Sequence, residues 1–199
     1  IPGRPVGVGP DGHSLWPAFT NVPNEFLESY FPLRIVQYET IADSGGAGLH
    51  RGGNGLSMHY MFLEPGQISI HDDRWLTYPW GVNGGQPGGR STKVLVRAKG
   101  GARELLPSKC DRIAVEAGDV LEFNTWGGGG WGDPLKRDAA LVARDVARGL
   151  VTAAGARRYG VVIAGDGKLD AAATEALRAS LSGGRTELPL FDFGGSVEE

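Results

Sequence analysis

Four residues in a row, His71-Asp72-Asp73-Arg74, close an apolar segment and combine an imidazole, two carboxylates and a guanidinium. A rigid strand end aims side chains well, and a histidine with carboxylates can ligate a divalent metal. Successive strand residues point to opposite faces, so at most two of the first three converge. Arg74 is equally suited to pair internally with Asp72 or Asp73. A second candidate is the run 126–132, WGGGGWG, whose Gly127, Gly129 and Gly132 fit G-x-G-x-x-G. A dinucleotide loop should run straight into a helix, and here Asp133-Pro134 intervene before a helix near 138. Two readings of the run stay open: a tight crossing beneath two tryptophans, or a backbone-amide lining for an anion or a partner's loop. The segment 43–55, DSGGAGLHRGGNG, holds Ser44, His50 and Arg51 among glycines but no G-x-x-x-x-G-K-[ST]. His13, His50 and His59 share no helical spacing, and His59 reads as a half-buried strand residue among aromatics. Cys110 follows a lysine but has no base at a defined spacing, and neither G-x-S-x-G nor H-E-x-x-H occurs.

Around these residues the chain must supply a frame. It has 199 residues, enough for one domain or one and a half. At 41% hydrophobic and 22% charged residues it has the composition of a globular protein. A net charge of −3 without a clustered excess of Lys and Arg excludes the usual nucleic-acid binders. One cysteine excludes a disulfide framework and a zinc–thiolate cluster, and no apolar run has the length of a membrane span. These features predict a soluble, cytoplasmic chain. The 33 glycines crowd before Asp133 and are interleaved with aromatics, which predicts a turn-rich fold with close backbone contacts.

Residues 1–20 carry Pro2, Pro5, Pro10 and Pro17 and read as an extended arm. Residues 21–31 read as a short helix capped by Asn21, with Phe26, Leu27 and Tyr30 on one apolar face. Strands are expected at 34–40, 56–63, 67–71, 93–98, 103–106, 112–115 and 120–124. Turn residues at 64–66, 99–101 and 116–119 suggest three hairpins, and the set suggests a sandwich or barrel-like sheet. After Asp133-Pro134 the pattern turns helical, at 138–148, 152–159 and 170–181, the last with Leu169, Ala173, Leu177 and Leu181 on one face. The tail is expected to dock through Leu188, Leu190, Phe191 and Phe193. The predicted fold class is α+β, a predominantly antiparallel sheet followed by a helical region. Its units are an arm at 1–20, a β-rich domain at 21–132 and a helical region with docking tail at 133–199.

The stretches 20–35, 43–55, 62–74, 79–85, 106–109, 118–138 and 149–162 together resemble, in order, the C-terminal third of the hydantoinase B/oxoprolinase family. GDVLEFNTWGGGGWGDPLKRD, followed by a helix and YGVV, is a compound signature. The resemblance implies part of a multi-subunit, ATP-dependent hydrolase that opens cyclic amides such as hydantoins, 5-oxoproline or lactams. ATP would sit on a partner, an A-type ATPase subunit that phosphorylates the carbonyl oxygen. Related members carboxylate ketones such as acetone and acetophenone, and that alternative stays open, as does a stand-alone binding or scaffold β-domain. The family's Asp- and His-rich motifs are absent here, so a divalent metal is expected on the N-terminal portion of the B-type subunit and no metal ligand in this chain. The opening at Ile1 suggests a fragment, a processed piece or a split gene product, active only in a hetero-oligomer. The resemblance itself transfers no catalytic residue to this chain; from the strand-end motif the candidate catalytic residues are His71, Asp73 and Arg74. The candidate substrate-binding residues are Arg51, Trp80, Gly127, Gly128, Gly129 and Gly130.

Overall fold

The computed structural model describes residues 7–13, 22–185 and 187–195. Most of the expected arm at 1–20 and the expected cap Asn21 lie outside the described residues. Helix α1 (Asn24–Tyr30) starts behind Pro23, which makes no side-chain cap. Its apolar face exists, with Phe26 and Tyr30 stacked at 4.2 Å, but none of its residues is buried, and Tyr30 is 72% exposed.

Among the described residues nine strands follow: β1 (Leu33–Thr40), β2 (Leu56–Phe62), β3 (Gly66–His71), β4 (Gly81–Val82), β5 (Thr92–Val96), β6 (Arg103–Leu105), β7 (Lys109–Val115), β8 (Val120–Asn124) and, after the helices, β9 (Phe191–Asp192). Five of them form an antiparallel sheet in the order β1-β2-β8-β5-β6. The β5–β6 hairpin forms as expected around Gly100 and Gly101, both at positive φ. The other two expected hairpins do not form. β3 pairs with β7 instead of β2, and β8 lies between β2 and β5 instead of beside β7. The turns at 64–66 and 116–119 are present but carry the chain from one layer to the other. Pairing β2 with β3 locally would leave their apolar faces side by side; stacking the β3–β7 ribbon on the sheet buries them against each other. Phe62, Ile70, Leu95, Leu106, Val115 and Leu121 fill that interlayer core.

The helical region follows its local signals. Asp138 caps helix α2 (Ala139–Ala147) through Ala140 N, and Gly149, at φ 72°, stops it. The expected second helix is a 3₁₀ turn, Gly155–Tyr159, whose Gly155 N donates to Thr152 Oγ1 at 2.8 Å. Asp170 caps helix α3 (Ala171–Gly183) through Ala173 N. The expected face of α3 is half-buried at Leu169, Ala173 and Leu177, with Leu169 against the helical core, but Leu181 is 39% exposed and the helix's one buried residue is Thr174. Polar contacts attach it, with Thr174 Oγ1 accepting from Val162 N and Arg178 donating to the carbonyls of Arg137 and Tyr159. Val142, Val151, Ala156, Tyr159 and Val161 form the core here, and Ala47 from the 43–55 loop joins it. The tail docks through β9 on β4, with Phe193 edge-on to Trp80 at 5.9 Å and Leu188 over Gly84, although Leu188, Leu190, Phe191 and Phe193 all keep more than a third of their surface exposed. No helix among the described residues is long and apolar enough to cross a membrane.

Between sheet and helices, three glycine-rich stretches cross: 45–55, 85–89 and 127–130. Gly46 N donates to Gly128 O, Gly128 N to Gly53 O, Gly127 N to Gly89 O and Gly130 N to Gln86 O, at 2.8 to 3.1 Å. A Cβ at Gly52 would collide with the Gly128 carbonyl, and one at Gly129 with the Trp80 carbonyl. Gly52→Ala and Gly129→Ala should each cost about 3 kcal/mol of stability in urea unfolding, the upper range for overpacking. Gly165→Ala, where a Cβ meets nothing within 4 Å, should stay within about 0.5 kcal/mol. A Gly52→Ala variant as stable as the parent would refute this account of the crossing.

Candidate functional site

β3 delivers His71 to the edge of the ribbon, and the next three residues are fixed from outside. Asp72 N donates to Ser108 O at 2.9 Å. Its carboxylate takes the Lys93 ammonium, whose side chain is fully buried, and Lys93 Nζ also reaches Asn124 O and lies 4.0 Å from the Phe123 ring centroid. Burial pulls the Lys93 pKa below its usual value, against the upward pull of Asp72. Ser91 holds the following two carbonyls, Oγ donating to Asp73 O at 2.7 Å and N to Arg74 O at 3.0 Å. Arg74 sits at φ 59°, a left-handed conformation uncommon outside glycine. Its guanidinium carbon lies 4.9 Å from the Trp80 ring centroid.

The candidate residues therefore part company. Arg74 meets Trp80, and Gly129 backs onto the Trp80 main chain. His71 turns to Asp111, with Nε2 to Oδ1 at 3.2 Å, and Asp73 turns to Lys109 at 3.6 Å, all on the exposed surface. Neither Asp72 nor Asp73 pairs with Arg74; lysines from β5 and β7 take them instead. The amides of Gly127, Gly128 and Gly130 already donate to backbone carbonyls. Arg51 is 2% exposed, and both its terminal nitrogens bind Asp11, at 2.7 and 3.1 Å. Its Nε lies 3.7 Å from Asp145, which also accepts from Arg137 at 2.8 Å, and the buried Tyr159 hydroxyl beside them makes no hydrogen bond. Asp11 also accepts from Asn54 N. Burial alone would raise the Asp11 pKa; the hydrogen bonds from Arg51 and Asn54 and the Arg51 charge outweigh it and hold the carboxyl below its ordinary value.

Sequence reasoning passed over Lys93, although its alternation with Leu95 puts it on the core face of β5, where a lysine needs an acid. It also passed over Asp11, which no local pattern connects to Arg51. A divalent metal does not fit these residues, since among the described residues no three His, Cys, Asp or Glu side chains gather into a metal-sized group.

Residues 1–134 match the family described as hydantoinase B/oxoprolinase. The chain is 36% identical to the beta subunit of the caprolactamase of Pseudomonas jessenii, over 78% of this chain and 28% of that one. It is 31% identical to the B component of a putative D-/L-hydantoinase of Pseudomonas sp., over 83% and 28%. The crystal structure of the ATP-dependent caprolactamase from Pseudomonas jessenii superposes with a TM-score of 0.70 at 31% identity, over 86% of this chain and 32% of that one. The nucleotide-free structure of acetone carboxylase shares the fold, with a TM-score of 0.71 at 23% identity over 90% and 29%. The chain thus spans under a third of the length of each.

Two outcomes follow from the ion pairs. Asp72→Ala strands a buried ammonium and should cost about 3–5 kcal/mol in chemical unfolding, most of it recovered when Lys93→Met is added. Full loss without recovery would assign Asp72 a different role. For Asp11 the folded pKa is depressed, so its stabilisation is complete above the ordinary aspartate range and is lost as pH falls through the lower folded value. Asp11→Asn should therefore flatten the acid limb of a melting-temperature profile, and an unchanged limb would remove the clamp from the account.

Proposed function

The chain belongs to the hydantoinase B/oxoprolinase family, and from that premise we propose that it forms the C-terminal part, or a split chain, of the B-type subunit of an ATP-dependent cyclic-amide hydrolase. The observation that carries this reading is the caprolactamase match, in which sequence and scaffold agree over most of the chain. Resonance makes a lactam carbonyl a poor electrophile. Phosphorylation of its oxygen, by an A-type partner subunit holding ATP, turns that oxygen into a leaving group. Attack at the activated carbon builds negative charge, which a preorganised cation stabilises best away from bulk water.

Arg74 suits that task. It has no carboxylate partner among the described residues, and Trp80 braces its guanidinium while offering an apolar wall. His71 and Asp73, exposed on the same strand end, are assigned proton transfer. Arg51 and Gly127 to Gly130 serve from behind: Arg51 clamps the glycine crossing, and Gly129 lets the Trp80 main chain close on it. The N-terminal portion of the B-type subunit supplies the opposite wall and any metal.

The test is assembly of the chain with its A-type and B-type partners. ATP hydrolysis should rise on adding caprolactam, a hydantoin or 5-oxoproline, without bicarbonate. A requirement for bicarbonate and a ketone would overturn the reading in favour of carboxylation. In the active assembly, Arg74→Ala should lower turnover roughly 10²-fold, the scale of one lost oxyanion contact, and unchanged turnover would strike Arg74 from the site.

A further inference from the structure

We propose that Ser57, on the floor of a polar cleft at one end of the five-stranded sheet, and His59, the next residue on the same face of β2, form a nucleophile–base pair for acyl transfer. Strand register sets Glu39, Ser57, Asn124 and Thr92 side by side across β1, β2, β8 and β5. Directly opposed residues share a face, so the four make one polar rung. With Ser44 and Arg90 they line a cleft of about 650 Å³, within the range of small-molecule sites.

Two hydrogen-bond contacts meet at Ser57 Oγ. Gln37 Nε2 donates to Ser57 Oγ at 3.4 Å, and Ser57 Oγ lies 3.0 Å from His59 Nε2. In the tautomer that carries its proton on Nδ1, His59 Nε2 accepts from the Ser57 hydroxyl, the arrangement of a nucleophile and its general base. Glu122 stands opposite His59 on β8, and Arg103 fixes its carboxylate with two bonds of 2.8 and 2.7 Å. Asn124, opposite Ser57, gives one Nδ2 hydrogen to Thr92 Oγ1 at 3.4 Å and keeps the other for an oxyanion. Glu39 and Asp43 outnumber the cation Arg90 along the lining, which disfavours anions, so the ligand class is a small neutral acyl compound, an ester or an activated amide.

In the first half-reaction Ser57 Oγ bonds to the acyl carbon as its proton passes to His59 Nε2, and the carbonyl electron pair moves to oxygen beside the Asn124 amide. The pair returns, the bond to the leaving alcohol breaks, and that alcohol takes the proton from His59. Water then attacks the acyl–Oγ bond by the same route, releasing a carboxylic acid and restoring Ser57.

The intact chain is incubated with p-nitrophenyl acetate, needing neither ATP nor a partner subunit, so the result is independent of the cyclic-amide reading. Peptide mapping should find acetyl on Ser57, and Ser57→Ala and His59→Gln should each lower p-nitrophenol release roughly 10²-fold. Acetyl confined to lysines, or parental release from Ser57→Ala, would overturn the proposal. Should either variant melt early, the adduct map on the parent chain decides alone.

Discussion

Glycines at 46, 52, 85, 88, 127, 129 and 130 let three stretches of main chain lie against one another at separations that any Cβ would forbid. The rest of the molecule is arranged around that contact. Carbonyls and amides from loops distant in sequence satisfy one another directly, so a buried loop cluster carries little unpaired backbone. Because the crossing is built from main chain, it has few rotamers to adjust and holds its neighbours rigidly. Trp80 is placed by its carbonyl against Gly129, and His50 and Trp131 exchange backbone bonds at its edge.

Two buried charge clusters brace the crossing. On the helical side, Asp11 and Asp145 balance Arg51 and Arg137, tying an N-terminal strap to the 43–55 loop and to α2. On the sheet side, Lys93 ties β5 to Asp72. Each cluster matches cation to carboxylate, the condition under which charge can be buried without a prohibitive desolvation penalty. The second cluster has a local effect as well. With Asp72 anchored and Ser91 gripping the next two carbonyls, Arg74 has little choice but its left-handed backbone, and its side chain is turned onto Trp80.

What could be read from sequence was what is local. Asp138 and Asp170 cap helices because the cap and its amide lie within three residues. The β5–β6 hairpin closes because Lys99-Gly100-Gly101 dictates a tight reversal. The turns at 64–66 and 116–119 look the same in sequence but lead into a second layer, and nothing local records which partner a strand takes. The site divides likewise. The strand end at His71 to Arg74 was visible as a motif, whereas the burial of Arg51 was hidden by the glycines around it, which normally mark surface loops. Ser57 and His59 share a face by simple alternation, yet the cleft at Ser57 exists only because β1, β8 and β5 come into register there.

That same strand order has a kinetic side. β8 is the central strand of the five-stranded sheet and the last of the five to be synthesised. Until it arrives, β1–β2 and β5–β6 are separate hairpins with an unpaired edge facing the gap between them. Closing that gap requires contacts far apart in sequence, the class of topology that folds slowly and leaves sticky edges exposed meanwhile. The glycine run directly after β8 locks against loops that are already made. A nascent chain of this design stays two halves until its middle strand emerges, and becomes one sheet only then.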